Sequence, residues 1–283
     1  MEWVERLNKT IAYMEENLSA EIDYAQLGQI ACCSSHHYQR MFGYLAGMPL
    51  SEYIRRRRMS RAAVDLQSGK EKIIDIAARY GYDSPTAFNR AFQSVHGFAP
   101  SQAKLEGQTF KSFPPISFQI TIKGVAQMDY RIERKEAFRI VGISIPIDAD
   151  MEKNFTIVPQ MWGKAAQDGT IQTLCQKMNV ESILGVLGVG AYDDTSENWR
   201  YYIAVASTED CDEFEEYIVP AFTWAIFKGE GAAQSIQQLE QRILTVWLPT
   251  SGYEYANGPD VEVYLDPNPE HTRYEVWVPV VKK

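Results

Sequence analysis

Cysteine, histidine and long apolar runs are all scarce in this chain of 283 residues. It contains four cysteines and four histidines, and so few cysteines do not make a disulfide scaffold. No apolar run approaches the roughly 18 residues that span a bilayer, and the best candidate, residues 183–191, contains three glycines. The first residues include early acids and no apolar signal region, which does not support secretion. A reduced, cytoplasmic chain is therefore expected.

The motifs of several enzyme classes are missing as well. There is no Walker or dinucleotide-type glycine-rich motif, and His271 is the only histidine outside the N-terminal part, so no Ser-His-Asp constellation is evident. Residues 32–37 (CCSSHH) contain the residue types of a zinc site. However, neighbouring cysteines splay apart on a helix, and Ser34 is needed as a helix cap. We expect no metal and no cofactor, and we expect small, buried cysteines at this turn.

Charge divides the chain into two parts. Hydrophobic residues make up 45% and charged residues 23% of it, which is ordinary for a globular protein long enough for two domains. The formal net charge is −9, but residues 1–110 hold 13 basic and 12 acidic residues, whereas residues 111–283 hold 15 and 25. Six arginines and a single acid, Glu52, lie between Ser34 and Arg61. Because a polyanion needs only a local positive surface, a nucleic-acid partner is compatible with the first part.

Helical signals fill the first part of the chain, and strand signals dominate the second. Apolar spacing, caps and Gly or Pro stops predict helices at residues 3–18, 24–31, 35–46, 50–67, 72–80 and 84–96. Residues 113–115 (FPP) indicate a linker. Beyond it, alternation predicts strands at residues 116–122, 130–145, 183–190, 200–206, 221–228, 261–265 and 274–280, with helices at 155–178 and 233–247.

The order of predicted elements in the second part of the chain repeats. Strand, helix, strand, strand is predicted two times, and residues 200–205 (RYYIAV) and 273–278 (RYEVWV) are the clearest matching pieces. The fold class is therefore expected to be multidomain, α and α+β. An all-α N-terminal domain precedes a duplicated βαββ domain with an antiparallel sheet.

The first part also contains an internal repeat. Ser34 followed by residues 39–42 (QRMF) matches Ser84 followed by residues 89–92 (NRAF), at an offset of 50 residues. Each unit is a short helix, a tight turn and a serine-capped helix, which is a helix-turn-helix. The second helix of such a motif lies in the major groove with its early residues at base edges. The early positions of this helix that are expected to be exposed are polar in both units: His36, Gln39 and Arg40 in one, and Thr86, Asn89 and Arg90 in the other.

Residues 5–105 resemble the DNA-binding domain of the AraC/XylS family of bacterial transcription regulators. Residues 73–102 (IIDIAARYGYDSPTAFNRAFQSVHGFAPSQ) fit the family signature nearly throughout. The resemblance implies a double-stranded DNA partner, places base reading on the six residues just named, and makes the helix at 50–67 a rigid spacer. RNA polymerase is a further candidate partner. Arg40 and Arg90 have matched positions, so one chain could read two groove segments about 34 Å apart.

The run of four arginines at residues 55–58 is a second candidate for DNA contact. Successive helical residues turn by about 100°, so these side chains point around all sides of the helix and at most two face phosphate together. We assign phosphate contact to Arg55 and Arg57. The others are expected to pair with acids such as Glu52 or to lie in solvent.

Residues 129–283 resemble the GyrI-like (SHS2-type) small-molecule-binding domain. The resemblance rests on DYRIERKEAFRIVGI, MWGK, ILGVLGV, VPAFTWAIFKGEG, VEVYLDP and RYEVWVPV, in that order. It implies two βαββ modules around a pseudo-twofold axis, with a cleft between them for an amphipathic, often cationic, multidrug-type effector. The domains are then residues 1–107 for DNA binding, 108–128 as a linker, and 129–283 for effector binding.

Acidic and aromatic residues of the second domain suit such a ligand. Alternation places Glu262 with Tyr264 on one face and Glu275 with Trp277 on one face, and a carboxylate beside an aromatic ring can receive a cation. Glu275 is the first candidate for the cleft and Glu262 the second. Further aromatic candidates are Trp162, Tyr192, Trp199, Trp224, Tyr253, Tyr264 and Trp277.

Three kinds of function agree with these patterns. A ligand-responsive DNA-binding regulator, not an enzyme, agrees best with the two resemblances. The alternative is a GyrI-like hydrolase that uses a glutamate as base and is fused to a DNA-binding domain. The third is a protein that binds another protein through its acidic domain.

Overall fold

The computed structural model describes residues 2–105, 107–119, 127–147, 151–193, 198–266 and 271–283. Contacts divide the chain into two units, Met1–Ile122 and Lys123–Lys283, here called the N-terminal unit and the C-terminal unit. No helix within the described residues is long and apolar enough to cross a membrane.

The N-terminal unit is helical, as predicted. Its helices are α1 (Glu2–Glu16), α2 (Tyr24–Ala31), α3 (Ser35–Ala46), α4 (Leu50–Ser68), α5 (Ile73–Arg79) and α6 (Pro85–His96), followed by a short 3₁₀ helix at Pro100–Gln102. The two serine caps are formed: the hydroxyl of Ser34 accepts from the His37 amide and that of Ser84 from the Ala87 amide, both at 3.1 Å. These caps start α3 and α6 at the residues expected from sequence.

The turn between α2 and α3 corrects the expectation of buried cysteines. Cys32 is exposed and Cys33 is half-buried. Cys32 ends α2 in a left-handed conformation with φ of 58°, and its amide bonds to the carbonyl of Gln29. The tight cap, which closes the last helical turn, therefore decides the direction of this side chain. Gly28 is required beneath the turn because a Cβ there would lie 2.7 Å from the Cys33 carbonyl oxygen.

Helix α4 is shared by the two helix-turn-helix motifs. Near its start, the Tyr53 ring packs against Phe42 of α3, with ring centroids 5.4 Å apart. Its later residues Met59, Ala62 and Leu66 belong to the apolar core that α5 and α6 complete. One continuous helix thus carries a motif at each end, as the spacer role requires.

The four consecutive arginines of α4, residues 55–58, mostly hold the N-terminal unit together. Arg56 pairs with Glu52, as expected for an arginine that does not face DNA, and Arg55, which was assigned to phosphate, pairs with the same glutamate. Arg58 donates to the carbonyls of Leu18 and Ala20 at 3.0 and 2.7 Å. These partners fasten α4 to its neighbours.

Arg57, predicted to contact phosphate, is instead buried, with 6% of its surface exposed. Its guanidinium binds Glu15 at 2.6 and 2.7 Å and donates to the Phe113 carbonyl. The prediction was wrong because Arg57 follows Tyr53 and Ile54 by about one helical turn and therefore shares their inward face.

The predicted strand at residues 116–122 is also corrected. Residues 116–119 are not a strand, and residues 120–122 lie outside the described part of the chain. The side chain of Asn8 takes the backbone hydrogen bonds of Phe118 that a neighbouring strand would have taken. Residues 107–119 run along the N-terminal unit, so this half of the proposed linker belongs to that unit.

The C-terminal unit is an antiparallel sheet with helices. Its strands are β1 (Tyr130–Lys135), β2 (Phe138–Pro146), β3 (Val186–Asp193), β4 (Asn198–Ala206), β5 (Glu215–Val219), β6 (Phe222–Gly231), β7 (Tyr253–Tyr255), β8 (Asp260–Tyr264) and β9 (Thr272–Lys282). The helices are α7 (Met151–Gln167), α8 (Thr170–Lys177), α9 (Ala233–Arg242), a π-helical turn at Ile243–Trp247 and a final turn at Leu248–Thr250. Gly169, with φ of 84°, breaks the predicted helix at 155–178 into α7 and α8.

The strand order confirms the duplicated fold. Within the described residues it is β1-β6-β9-β8-β3-β4-β2-β5, with β7 paired to β9. One module is β2, α7 with α8, β3 and β4, and the other is β6, α9, β8 and β9. The modules meet where β3 pairs with β8, and the matching pieces noted in the sequence lie on the equivalent strands β4 and β9. Strands β5 and β7 were not predicted, because neither has an extended apolar alternation.

The sheet has two faces with different coverings. One face carries Leu187, Val261, Val263, Trp224 and Trp277, which belong to one apolar core of this unit; we call it the core face. The other faces the helices: Ile203 and Val205 of β4 pack there with Met161 of α7 and Leu174 of α8. We call this the helix face.

Replacing Arg57 by Met should destabilise the N-terminal unit by about 3 kcal/mol, because removal of one partner of a buried pair leaves Glu15 uncompensated. Chemical denaturation followed by circular dichroism measures the loss. Arg61, whose side chain is 57% exposed and 3.9 Å from Glu15, is the matched control; Arg61→Met should change stability by less than about 0.5 kcal/mol. Equal effects of the two variants would contradict the assignment.

The same pair predicts a pH dependence. Burial raises the pKa of Glu15, but hydrogen bonds and charge from Arg57 hold it below its ordinary value of 4.5. A lowered folded-state pKa contributes stability above the unfolded-state value that is lost as the pH falls through the folded-state value. The stability difference between wild type and Arg57→Met should therefore be complete at about pH 6 and shrink toward about pH 3.

Candidate DNA interface and effector cleft

The two recognition helices present their predicted base-reading residues differently. On α6, Thr86 and Arg90 are exposed and Asn89 is half-buried. On α3, His36 and Gln39 are 7% and 5% exposed, so the expected exposure is wrong for these two. Polar character shows that a side chain tolerates water, and it does not establish that water reaches it. Base contact by α3 requires this face of the helix to be accessible.

Fewer arginines are exposed near the two recognition helices than the run at residues 55–58 suggested. Arg40 of α3 is half-buried. Arg55 is 41% exposed and, besides Glu52, donates to the Ser94 hydroxyl of α6 at 3.0 Å. Arg55 therefore remains at the surface beside the second recognition helix, while Arg57 does not.

The two glutamates expected in the cleft lie on opposite faces of the sheet. In the pairing of β8 with β9, Val263 stands opposite Glu275, and Glu262 stands opposite Val276. Paired residues share a face and neighbours alternate. Glu275 therefore lies on the core face with Val263, and Glu262 lies on the helix face. The expected pairs of neighbours, Glu262 with Tyr264 and Glu275 with Trp277, are confirmed by this register.

Glu275 is occupied by a structural ion pair. Arg131 of β1 donates to its two carboxylate oxygens at 2.8 and 2.9 Å, and the indole of Trp277 donates to it at 2.9 Å. Burial raises the pKa of Glu275, but these hydrogen bonds hold it below the ordinary value. A carboxylate already compensated in this way is a poor counter-charge for a ligand.

Several predicted aromatic residues pack elsewhere. Trp224 and Trp277 are buried in the core face with ring centroids 5.8 Å apart. Tyr253 stacks on Trp247 near the β7 edge, with centroids 5.9 Å apart. Tyr192 is exposed on β3 and contacts Trp199. Aromatic residues in strands contribute to core packing as readily as to ligand binding, so residue type alone does not separate the two roles.

Glu262 lies within a cluster of aromatic side chains on the helix face. Tyr264 donates to its carboxylate at 2.7 Å and Tyr201 of β4 at 3.4 Å. Trp162 of α7 donates to the Tyr201 hydroxyl at 3.0 Å, and its ring lies 4.8 Å from that of Tyr264. We call Glu262, Tyr201, Tyr264 and Trp162 the tyrosine cluster.

The two tyrosines of this cluster stay neutral. Burial, and then the charge of Glu262, raises the pKa of Tyr201 and of Tyr264 well above its ordinary value. A phenol that keeps its proton can donate a hydrogen bond to a carboxylate without removing its negative charge. Glu240 on α9 is buried and also raises both pKa values. The phenols therefore bring no positive or negative charge of their own to the cluster.

Glycines provide space beside the tyrosine cluster. A Cβ at Gly188 would overlap the Tyr201 hydroxyl and come within 3.0 Å of Glu262. At Gly190, two residues along β3 on the same face, an added Cβ would meet no atom of the described residues within 4 Å. Gly190 stands opposite Tyr201 in the pairing of β3 with β4. The described residues therefore leave space beside Gly190 on the helix face.

Sequence reasoning missed Tyr201, Gly188, Gly190 and Glu240. Tyr201 lies in one of the matching pieces, two residues from Trp199, so alternation alone could have placed it beside an aromatic candidate. The glycines read as the weak interior of an apolar strand. Within the described residues, no three His, Cys, Asp or Glu side chains are grouped to hold a metal ion.

Comparisons with known proteins match both units. The model of the GyrI-like small molecule binding domain matches residues 128–281, and that of a helix-turn-helix domain matches residues 27–105. The HTH-type transcriptional activator AarP of Providencia stuartii is 36% identical over 99 residues, which are 35% of this chain and 73% of AarP.

Two further relatives differ in coverage. The right origin-binding protein of Escherichia coli K12 is 21% identical over 288 residues, covering 95% of this chain and 96% of that protein. The F1 operon positive regulatory protein of Yersinia pestis is 38% identical over 100 residues, 35% of this chain, and the chain spans only 33% of its length. From these matches and the two units, the chain belongs to the AraC/XylS family of transcription regulators, with a GyrI-like small-molecule-binding domain as its C-terminal unit.

Proposed function

We propose that the tyrosine cluster binds an amphipathic, cationic effector, with Glu262 as its counter-charge, and that α3 and α6 read adjacent segments of the operator. The effector proposal rests on the position of Glu262 among neutral phenols and beside Gly188 and Gly190 of β3. The exposed early residues of α6 carry the operator proposal.

A cation that leaves water for a protein cleft must recover its lost hydration. A carboxylate hydrogen-bonded by neutral donors keeps its charge and supplies that attraction. The rings of Trp162 and Tyr264, 4.8 Å apart, add flat apolar area and about 0.5–2 kcal/mol of cation–π attraction each. Glu275 lacks this role because Arg131 neutralises it.

Binding, without turnover, agrees with two of the named relatives, a transcriptional activator and a positive regulatory protein of an operon. The hydrolase alternative would use Glu262 as a base. Chemical change of a bound dye during titration would support that alternative.

For DNA, Arg90→Ala should weaken binding to the cognate operator by about 1–3 kcal/mol and relax base preference in one half only. Arg40→Ala should do the same in the other half. Fluorescence anisotropy on an operator selected by wild type from random duplexes measures both. Arg134, 64% exposed on β1, is the control and should change neither affinity nor preference when replaced by Ala. A loss that is uniform over all sequences would mean that Arg90 or Arg40 contacts phosphate.

For the effector, Glu262→Gln keeps the side-chain shape and removes the charge. Calorimetry should show affinity for cationic rhodamine 6G falling about tenfold or more, while its neutral dihydro form binds nearly as before. Glu275→Gln is the matched control: it should lower stability, because Arg131 loses its partner, and leave the preference for the cationic form intact. If Glu275→Gln removed that preference and Glu262→Gln did not, the assignment would be reversed.

Gly190→Ala locates the ligand without disturbing the protein. The added methyl group meets no atom of the described part of the chain within 4 Å, so stability should change by less than about 0.5 kcal/mol. If the effector lies against Gly190, the added methyl group should weaken its binding free energy by about 1–3 kcal/mol, as for one methyl group in a fitted pocket. Gly188→Ala should instead destabilise the unit by displacing Tyr201. Unchanged dye affinity in a folded Gly190→Ala variant would place the ligand elsewhere.

A further inference from the structure

Residues 107–119, which we call the strap, are bound to the second helix-turn-helix motif at one end. The Lys111 amide donates to Nδ1 of His96 at 3.3 Å, and Nε2 of the same ring lies 3.1 Å from the Met59 carbonyl. A backbone N–H can only donate, so Nδ1 accepts and the ring proton is on Nε2. The Phe110 ring packs edge-on against Phe98, with centroids 5.1 Å apart. This end of the strap is therefore held by the last helix of the motif.

The middle of the strap is bound to the centre of α4. The Phe113 amide donates to the Ser60 hydroxyl at 3.1 Å, and the Phe113 carbonyl accepts from Arg57. The Arg56 guanidinium lies over the Phe113 ring, 5.0 Å from its centroid. These contacts lie between the part of α4 that packs on the first motif and the part that packs on the second.

The far end of the strap is bound to the first helix-turn-helix motif. The Asn8 amide group donates to the Phe118 carbonyl at 3.0 Å and accepts from the Phe118 amide at 2.8 Å. The Phe118 ring meets Phe42 of α3 edge-on, with centroids 6.0 Å apart. The strap thus contacts the core beneath the first recognition helix.

Two bodies joined by a single helix can rock about that helix, whereas a second tie across the joint removes this freedom. Helix α4 is the first connection between the motifs, and the strap is the second, attached to both motifs and to α4 between them. Reading two groove segments about one helical turn apart requires a fixed separation of the two reading helices.

We propose that the strap is a positioning element for DNA recognition: it fixes the separation of α3 and α6 so that both recognition helices engage one operator together. This inference rests on the proposed reading of two adjacent operator segments. Its consequence is that strap contacts decide the tolerated spacing between the half-sites, without contacting DNA themselves.

The test uses the full chain with Asn8→Ala and Ser60→Ala combined, which removes the side-chain partners of Phe118 and Phe113. The matched control combines Asn17→Ala and Ser68→Ala. Asn17 and Ser68 also donate to backbone carbonyls, of Tyr13 and Asp65 at 2.8 and 2.7 Å, and neither bond involves the strap. The probes are the operator selected by wild type from random duplexes, the same duplex with either half scrambled, and versions with base pairs inserted between the halves.

The strap variant should lose about tenfold in affinity for the intact operator and change by less than about twofold on duplexes with one half-site. Its affinity should also fall less steeply than that of wild type as base pairs are inserted, while the control variant follows wild type. Equal losses on whole and half operators, or an unchanged spacing profile, would overturn the proposal. If wild type selected no sequence with two halves, the operator-reading function would fail, and the strap proposal with it.

Discussion

The antiparallel pairing of β8 with β3 and β9 is the constraint on which the proposed effector site depends. Because side chains alternate across a strand, the register assigns every residue of β8 to one face of the sheet. Val261 and Val263 are buried on the core face and hold that register. Glu262, between them, must then point to the helix face, where Tyr201 and Trp162 meet it. A slip of one residue would exchange the two sets of side chains and remove the site.

Glu15, Glu275 and Glu262 illustrate two ways in which this protein surrounds a carboxylate. Glu15 and Glu275 are each bound by an arginine at short distance, so their charges are neutralised within the fold. Glu262 is hydrogen-bonded by tyrosines whose pKa values are raised. Neutral donors bring no positive charge to offset that of a carboxylate. This difference separates the two glutamates that stabilise the fold from Glu262, which is proposed to receive a cationic ligand.

In the N-terminal unit, the arginines at residues 55–58 of α4 chiefly bind other parts of the protein. Arg58 binds backbone carbonyls beyond α1, Arg57 binds Glu15, and Arg55 reaches Ser94 of α6. A guanidinium has several donors in a fixed geometry, which suits it to bridge neighbouring elements. The run of arginines at residues 55–58 therefore also provides the contacts that fasten α4 to both helix-turn-helix motifs.

The sequence by itself determined the features that depend on local signals. Serine caps at Ser34 and Ser84 set the starts of α3 and α6, apolar periodicity set the helices, and the matching pieces at 200–205 and 273–278 revealed the duplicated fold. Glu262 and Tyr264 could be placed on one face because alternation is a property of a single strand. These inferences needed no knowledge of distant neighbours.

Tertiary structure alone decided which face of the sheet each glutamate occupies, and which polar side chains are enclosed. The opposed positions of Glu262 and Glu275 follow from pairing between two strands, and the burial of Arg57 follows from contact with Glu15, 42 residues away. The Phe118 backbone bonds to Asn8, 110 residues away, and not to a strand. In each case the partner that decides the outcome is remote in sequence. The type and spacing of a residue do not determine where such a partner lies in the fold.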